Sequence, residues 1–196
     1  MCIRDSDGTS GTPLSRFEGM SSNVGCAEGA TIAAHDDKIF WVARHPKGGR
    51  YVAALLSGFE PERISTDTID EYLNGEGANI TNSYAFTTSA AGKSFYVLTL
   101  LTTAAKTFVY DIELKVWYEW SSDVSDVETY FTAVDSGEDD GVVLMLDEDD
   151  GSIFEFDPLT YQDNIVAGAQ TINCRIITGR FDFATMLEKF LWTLRV

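Results

Sequence analysis

The residues in this chain that could do chemistry are mostly carboxylates, and they are concentrated in one stretch. Eight Asp and Glu residues lie within Asp135–Asp150, and Val116–Cys174 holds fifteen acidic residues without a single Lys or Arg. Clustered carboxylates occur in calcium loops, but an EF-hand loop needs acidic residues at positions one, three and five and glycine at six. Loops that start at Asp147 or Ser136 fail this pattern. We therefore predict solvated turns at Ser136–Asp140 and Asp147–Asp150, on either side of a strand at Val142–Leu146. An adventitiously bound divalent ion is the alternative.

Catalytic use of these carboxylates is disfavoured. A retaining glycosidase holds two carboxyl groups about 5 Å apart, whereas neighbouring carboxylates in turns repel one another and favour solvent. The chain has no sialidase-type Ser-x-Asp-x-Gly-x-x-Trp sequence and no glycine-rich phosphate loop. His35 and His45 lie in strand-end and turn contexts and complete no Ser/His/Asp order. We predict no catalytic residue, no cofactor and no metal ligand, and we predict that Cys26 is a small buried residue.

The charge balance excludes two classes of binding. The chain contains 14 Lys and Arg residues and 31 Asp and Glu residues, which gives a formal net charge of −17 at pH 7. Wrapping of nucleic acid and binding to anionic membranes both need a basic surface. No apolar stretch approaches the ~20 residues that span a bilayer. The three cysteines are an odd number without metal-ligand spacing, so neither a disulfide scaffold nor a zinc site is predicted.

The elements that carry these residues repeat along the chain. Alternating, β-branched and aromatic residues dominate from residue 31 onward, which predicts strands. The first unit of strands holds Thr31–Ala34, Lys38–Ala43, Tyr51–Leu56 and Arg63–Ser65. The second holds Ser83–Phe86, Lys93–Leu98, Thr107–Ile112 and Trp117–Trp120. The third holds Tyr130–Ala133, Gly141–Leu146 and Ser152–Asp157.

The spacing of these units predicts the fold class. Equivalent second strands begin at Lys38, Lys93 and Gly141, and four short antiparallel strands every 40–50 residues or so are typical of a β-propeller blade. Turn residues at Pro46–Gly49 and Asp149–Gly151 close two hairpins. We predict an all-β partial β-propeller, with about three four-stranded antiparallel blades and the start of a further strand unit. An antiparallel sandwich is the alternative.

A single short helix is predicted between the first and second blades. Thr68 and Glu71 have the spacing of a capping box, Ile69 and Leu73 supply an apolar side, and Asn74-Gly75 provides a stop. Inserted segments of this kind lie at one rim of a propeller. The predicted helix spans residues 68–73.

Aromatic residues occur on the predicted strands, several of them in adjacent pairs. Neighbours such as Phe40 and Trp41 point to opposite sides of a sheet. Stacked blades need large apolar residues on both sides, which explains the pairs without a ligand. A platform for stacking sugars is the alternative.

The two ends of the chain differ from the repeat. Residues 1–6 (MCIRDS) resemble a translated sequencing adapter of the kind found at the edges of metagenomic assemblies, so residues 1–12 are predicted to be an artefactual or disordered leader. Residues 13–165 form the predicted blades, and residues 166–196 the start of a next, truncated β element. Because Lys189–Val196 is an apolar strand-like run with no turn after it, we expect a slice of a longer protein.

Several short motifs occur together in this chain: Ser22–Cys26, Phe40–Val42, the Gly48-Gly49 turn, Arg63–Thr66 with Ile69, Ser94–Leu98, and Val109–Asp111 with Trp117. Together they resemble one family, the packaged-DNA stabilisation proteins of short-tailed bacteriophages. The resemblance covers residues 21–196. It implies a non-enzymatic virion protein with a β-propeller body. The resemblance also implies that the protein is a tail hub. A tail hub joins the portal adaptor to the tail needle and to the tailspike or fibre, and it retains packaged DNA.

The same resemblance implies an oligomer in the virion tail that assembles in the host cytoplasm. The motifs look structural, so no functional site carries over from the family. The concentration of charge on the third blade instead predicts a partner-contact patch at Asp139, Asp140, Asp149 and Asp150. Two rival functions remain: a kelch-like interaction module, and a propeller glycosidase or lectin.

Overall fold

The computed structural model describes residues 2–171 apart from 6–14, 22–23, 46, 56–59, 91, 125–126, 149–150, 158–161 and 166–167. Its strands are β1 (Cys2–Asp5), β2 (Ser15–Ser21), β3 (Gly25–Cys26), β4 (Ala33–His35), β5 (Lys38–Arg44), β6 (Arg50–Leu55), β7 (Glu62–Arg63), β8 (Tyr84–Ala90), β9 (Lys93–Leu100), β10 (Lys106–Asp111), β11 (Val116–Val124), β12 (Val127–Tyr130), β13 (Ala133–Asp139), β14 (Val142–Asp147), β15 (Ile153–Glu155), β16 (Gln162–Ile165) and β17 (Gly168–Thr171). Its helices are α1 (Asp67–Gly75) and two 3₁₀ helices, Gly29–Thr31 and Gly77–Asn82.

Three antiparallel sheets follow one another along the chain, as predicted. The first sheet has the order β3-β5-β6-β7, with β4 also paired to β5. The second has the order β12-β11-β10-β9-β8, and the third has the order β13-β14-β15. The number of strands differs from the predicted four in each sheet. β3 extends the first sheet, β12 extends the second, and the third has three strands among the described residues.

The sheets stack through both of their sides, which is the packing expected of propeller blades. One side of the first sheet, with Phe40 and Val42, packs against Tyr96, Leu98 and Tyr110 of the second. The alternate residues of β9 and β10 point the other way and pack against the third sheet. The adjacent aromatic residues therefore serve two different cores, since successive side chains on a strand alternate sides.

The side of the first sheet that faces away from the second sheet is buried as well. Trp41, Ala43 and Ala53 are buried there, with Tyr51 and Leu55 packed against them. The pair Phe40-Trp41 thus fills two separate cores, as the stacking interpretation of the aromatic pairs predicts.

The helix α1 begins at Asp67, one residue before the predicted span of residues 68–73, and its N-cap lies two residues before the predicted one. The Thr66 side chain accepts a hydrogen bond from the Ile69 backbone N–H, so Thr66 is the N-cap, and the capping box predicted for Thr68 and Glu71 is wrong. Both threonines suit the cap, and the tertiary contacts of the preceding segment select Thr66. Ile69 and Leu73 pack into the core between the first two sheets.

This cap provides a direct stability test. Replacing Thr66 with alanine should lower the free energy of unfolding by about 1 kcal/mol, because the Ile69 N–H loses its acceptor. The matched control is Thr68→Ala, which removes an exposed threonine inside the helix and should change stability by only a few tenths of a kcal/mol. Urea titration of both variants measures the difference. A larger loss for Thr68→Ala would contradict the assignment of the cap.

The third sheet departs most from the sequence prediction. Tyr130–Ala133 was predicted as its first strand and Ser136–Asp140 as a turn, but the first strand is β13, and Tyr130 ends β12 in the second sheet. The acidic residues led to the prediction of a turn, but an edge strand also tolerates charged side chains on its open side. The acidic stretch is therefore mostly strand.

The side chains of β14 that face the second sheet are also one residue away from those that the repeat alignment indicates. Pairing Gly141 with Lys93 predicts that Leu144 and Leu146 point back toward the second sheet, as Tyr96 and Leu98 point back toward the first. The structure instead packs Val143 and Met145 against the second sheet. A slip of one residue exchanges the two sides of a strand, so Leu144 and Leu146 point away from it.

Two further hairpins lie outside the three sheets. β1 pairs with β2, and β1 lies within residues 1–12, which are predicted to be an artefactual or disordered leader. β16 pairs with β17. The predicted strand at Lys189–Val196 lies outside the described residues, as does most of the segment 166–196.

Candidate functional site

The candidate contact patch lies at the end of the β13–β14 hairpin. Asp139 is paired with Val142, so the strands are joined by the two residues Asp140 and Gly141. Both have positive φ, 51° and 79°, which is the backbone of a type I′ hairpin turn and favours Asp-Gly. The sequence places these carboxylates at a turn, and the structure presents Asp139 and Asp140 at its tip. Asp149 and Asp150 lie outside the described residues.

The acidic residues of this region fall into two groups. Asp147 and Glu148 contact other side chains: the Thr132 hydroxyl donates to Asp147 Oδ2 over 2.7 Å, and the Tyr84 and Tyr130 hydroxyls lie 3.5 and 3.4 Å from Glu148 Oε2. Burial and then the Glu148 carboxylate raise the pKa of the Tyr84 phenol. These two acids therefore help to hold the third sheet against the second.

The other four acids of the hairpin are exposed. They are Asp135, Glu138, Asp139 and Asp140. Within the described part of the chain, no Lys, Arg or His lies within salt-bridge distance of any of them. Their mutual repulsion is of order 1 kcal/mol for two charges 4 Å apart in water. A basic partner surface would remove this repulsion.

The described residues do not gather these carboxylates into a metal site. No group of three or more His, Cys, Asp and Glu side chains with metal-binding geometry occurs among them. The hairpin separates the acids along a strand, whereas calcium needs six to eight oxygen ligands around one point.

The two histidines are held apart by different turns. His35 Nε2 lies 3.6 Å from Asp36 Oδ2 at the end of β4. His45 Nδ1 accepts a hydrogen bond from the Lys47 backbone N–H over 3.1 Å in the turn between β5 and β6. Cys26 is exposed, so the prediction that it is a buried residue is wrong; β3 is a two-residue edge strand that leaves it uncovered.

A polar cleft of about 240 Å³ lies between the first strands of the second and third sheets. Hydroxyl groups in it connect the sheets. Thr87 Oγ1 donates to the Ala34 carbonyl over 2.8 Å, and Ser136 Oγ donates to the Thr87 carbonyl over 2.9 Å. These hydroxyls hold β4, β8 and β13 side by side. Sequence analysis overlooked them because hydroxyl residues on strands carry no distinctive spacing.

The motif Arg63–Thr66 connects the first sheet to helix α1. The Val52 N–H donates to Ser65 Oγ over 3.0 Å, and the Ser65 hydroxyl donates in turn to Asp70. Arg63 lies 2.7 Å from Asp70 Oδ2 and also contacts Asp67. The carboxylate of Asp70 is half-buried, and burial raises its pKa against the opposing effects of Ser65 and Arg63. The motif is therefore a structural junction.

The motif Val109–Asp111 with Trp117 is structural as well. Asp111 is buried, and its Oδ1 accepts hydrogen bonds from the backbone N–H groups of Glu113 and Leu114, which closes the turn between β10 and β11. Trp117 packs on Tyr110 with ring centroids 5.0 Å apart, and its indole N–H donates to the Ile64 carbonyl over 2.8 Å. This bond joins the second sheet to the segment before α1.

Consecutive antiparallel sheets, each sharing a core with the next, define a β-propeller protein whose conspicuous motifs are structural. The comparison with known families agrees: the family model described as "Bacteriophage P22 Gp10, beta-propeller" matches residues 3–161. The chain belongs to this family of phage DNA-stabilisation proteins, as the sequence resemblance indicates. No curated protein matches the chain. Within the described residues, no helix is long and apolar enough to cross a membrane.

Proposed function

We propose that this protein is a non-enzymatic component of a phage tail hub. In this role it joins the portal adaptor to the tail needle and to the tailspike or fibre, and it helps to keep packaged DNA inside the capsid. It acts as an oligomer in the virion tail and assembles in the host cytoplasm. The observation that carries the proposal is the family match over residues 3–161, on a fold whose family motifs close turns and join sheets.

The charge of the chain indicates how DNA is retained. A net charge of −17 repels the phosphate backbone, so the hub does not hold the duplex by binding it. A stiff stack of blades fixed to its neighbours can instead close the channel. Acidic surfaces near the channel would also let DNA pass without adhering.

The hairpin end formed by Asp139 and Asp140, together with Asp149 and Asp150, is the proposed contact with a neighbouring tail protein. Exposed carboxylates without cationic partners attract a basic surface and steer its approach. The positive-φ turn places Asp140 at the tip of the hairpin. Charges concentrated on one sheet serve a contact better than they serve solubility, which only needs them spread over the surface.

Charge reversal tests this contact. We expect the full-length protein with Asp139, Asp140, Asp149 and Asp150 all changed to Lys to be incorporated into tails at less than about a tenth of the normal level, because a basic partner surface would then be repelled. The measurement is the amount of the variant in purified particles at physiological salt. DNase sensitivity of the packaged genome reports whether DNA retention fails with it.

The control is a variant with equal charge change on exposed acids of the first sheet, its connections and helix α1. It changes Asp37, Glu60, Glu62 and Glu71 to Lys. This variant should assemble normally. If the hairpin variant also assembles normally, the contact is not there and the acids are only solvated. If assembly fails in both variants, net charge rather than this hairpin is responsible, which equally contradicts the proposed contact.

A further inference from the structure

One side of the third sheet is apolar and uncovered. Because Val143, Met145 and Phe154 pack toward the second sheet, the alternate residues point away from it. Four of these form a continuous surface across β14 and β15, which we term the outer face: Val142, Leu144, Leu146 and Ile153. Ile153 is 69% exposed, Leu146 39% and Val142 37%, and Leu146 and Ile153 are directly paired.

The corresponding sides of the preceding sheets are fully covered. In the first sheet, Phe40, Val42 and Val52 are completely buried by the second sheet, and in the second, Val97 and Val109 are completely buried by the third. The outer face of the third sheet occupies the same place in the stack. It therefore has the composition of a covered surface without a cover among the described residues.

Carboxylates flank the outer face on both sides. Asp135 is paired with Leu146 and Asp139 with Val142 on one side, and Glu155 is paired with Leu144 on the other. All three acids are exposed, and no basic side chain of the described residues lies within salt-bridge distance of them. A cover that fits this face needs an apolar centre with basic residues at its margins.

We propose that residues 172–196 of the same chain cover the outer face as the next sheet of the stack. This segment directly follows β17 and contains the first basic residues after Lys115: Arg175, Arg180, Lys189 and Arg195. It also contains the apolar runs Ile176-Ile177 and Phe190–Trp192. Its 25 residues are enough for two or three strands of about six residues each. The proposal does not depend on a role in tail assembly.

Charge argues against a second copy of the third sheet as the cover. A twofold interface places the same patch of each copy against itself. Asp135 and Glu155 of one copy would then approach the same acids of the other, which is unfavourable. The C-terminal segment carries four basic and two acidic residues and has the complementary sign.

Hydrogen–deuterium exchange of the full chain tests the proposal. Peptides from residues 172–196 should exchange at least about tenfold more slowly than an unstructured peptide does. Replacing Leu144 with Asp should remove this protection, since it puts a charge in the centre of the covered surface. The matched control is Leu114→Asp, which makes the same change at an exposed leucine in the β10–β11 turn and should leave the protection unchanged. Peptides from β9 and β10 report whether each variant keeps its core.

A second set of variants tests the proposal if Leu144→Asp unfolds the core. Changing Asp135 and Glu155 to Lys should reduce the protection of residues 172–196, and adding Arg175→Glu with Arg180→Glu should restore it. The proposal is overturned if the wild-type segment exchanges freely, or if its protection survives both the Leu144 and the Lys variants. It is also overturned if protection rises with protein concentration as dimers form in mass photometry, because a second copy would then be the cover.

Discussion

Replacing Tyr96 with alanine is expected to lower the free energy of unfolding by about 3–5 kcal/mol, the range for removing a buried aromatic side chain. Tyr96 is completely buried between the first two sheets, where it stacks on Phe40 and contacts Trp117 edge to face. Its loss leaves a cavity in the core that joins those sheets. Urea unfolding followed by tryptophan fluorescence gives the change in free energy.

The conservative variant Tyr96→Phe separates packing from hydrogen bonding. It keeps the ring and removes only the hydroxyl, which donates to the Thr31 carbonyl over 3.0 Å. The expected loss is about 1 kcal/mol. Burial raises the pKa of this phenol, so the tyrosine stays protonated and the bond persists at alkaline pH. Equal losses for the two variants would show that the ring does not carry the core contact.

The second large effect is expected at Glu76, a carboxylate that is only 2% exposed. Its two oxygens accept hydrogen bonds from the backbone N–H groups of Thr103 and Ala104, and the shortest is 2.7 Å. These bonds attach the end of α1 to the connection between β9 and β10. Glu76→Ala leaves both N–H groups without this acceptor, so we expect a loss of about 3 kcal/mol of stability.

Glu76→Gln is the matched control, because glutamine retains one oxygen acceptor at the same length. Bonds to a neutral carbonyl are weaker than bonds to a carboxylate, so the expected loss is about 1 kcal/mol. Hydrogen exchange at Thr103 and Ala104 should accelerate more in the alanine variant than in the glutamine variant. If alanine and glutamine are equally stable, the carboxylate does not hold this connection.

The structural roles of Tyr96 and Glu76 differ in how well they can be predicted from the sequence. Tyr96 is adjacent to Phe95 on an alternating strand, and the alternation alone predicts that both are buried on opposite sides. Glu76 follows a helix stop in a polar stretch, and its acceptor role depends on backbone N–H groups 27 and 28 residues later. Local patterns contain no information about a contact over that separation.

The candidate contact patch shows the same division. The sequence locates the carboxylates and predicts a turn before Val142–Leu146, but it places that turn at Ser136–Asp140, whereas the structure has the two-residue turn Asp140-Gly141. The sequence also does not show that Asp147 and Glu148 contact Thr132, Tyr84 and Tyr130 while Asp139 and Asp140 stay exposed. That difference arises from the packing of the third sheet on the second.

For this protein, local alternation and spacing determined the repeat, most strands of the first two sheets and the stacking of sheets through both sides. The two-residue period of a strand and its burial on two sides can both be recognised in consecutive residues. Tertiary structure decided which of two nearby threonines caps α1, that β13 continues to Asp139, and which side of β14 is buried. In each case, two local conformations of the chain have nearly equal energy. Contacts with distant residues, such as the packing of Met145 against the second sheet, favour one of them.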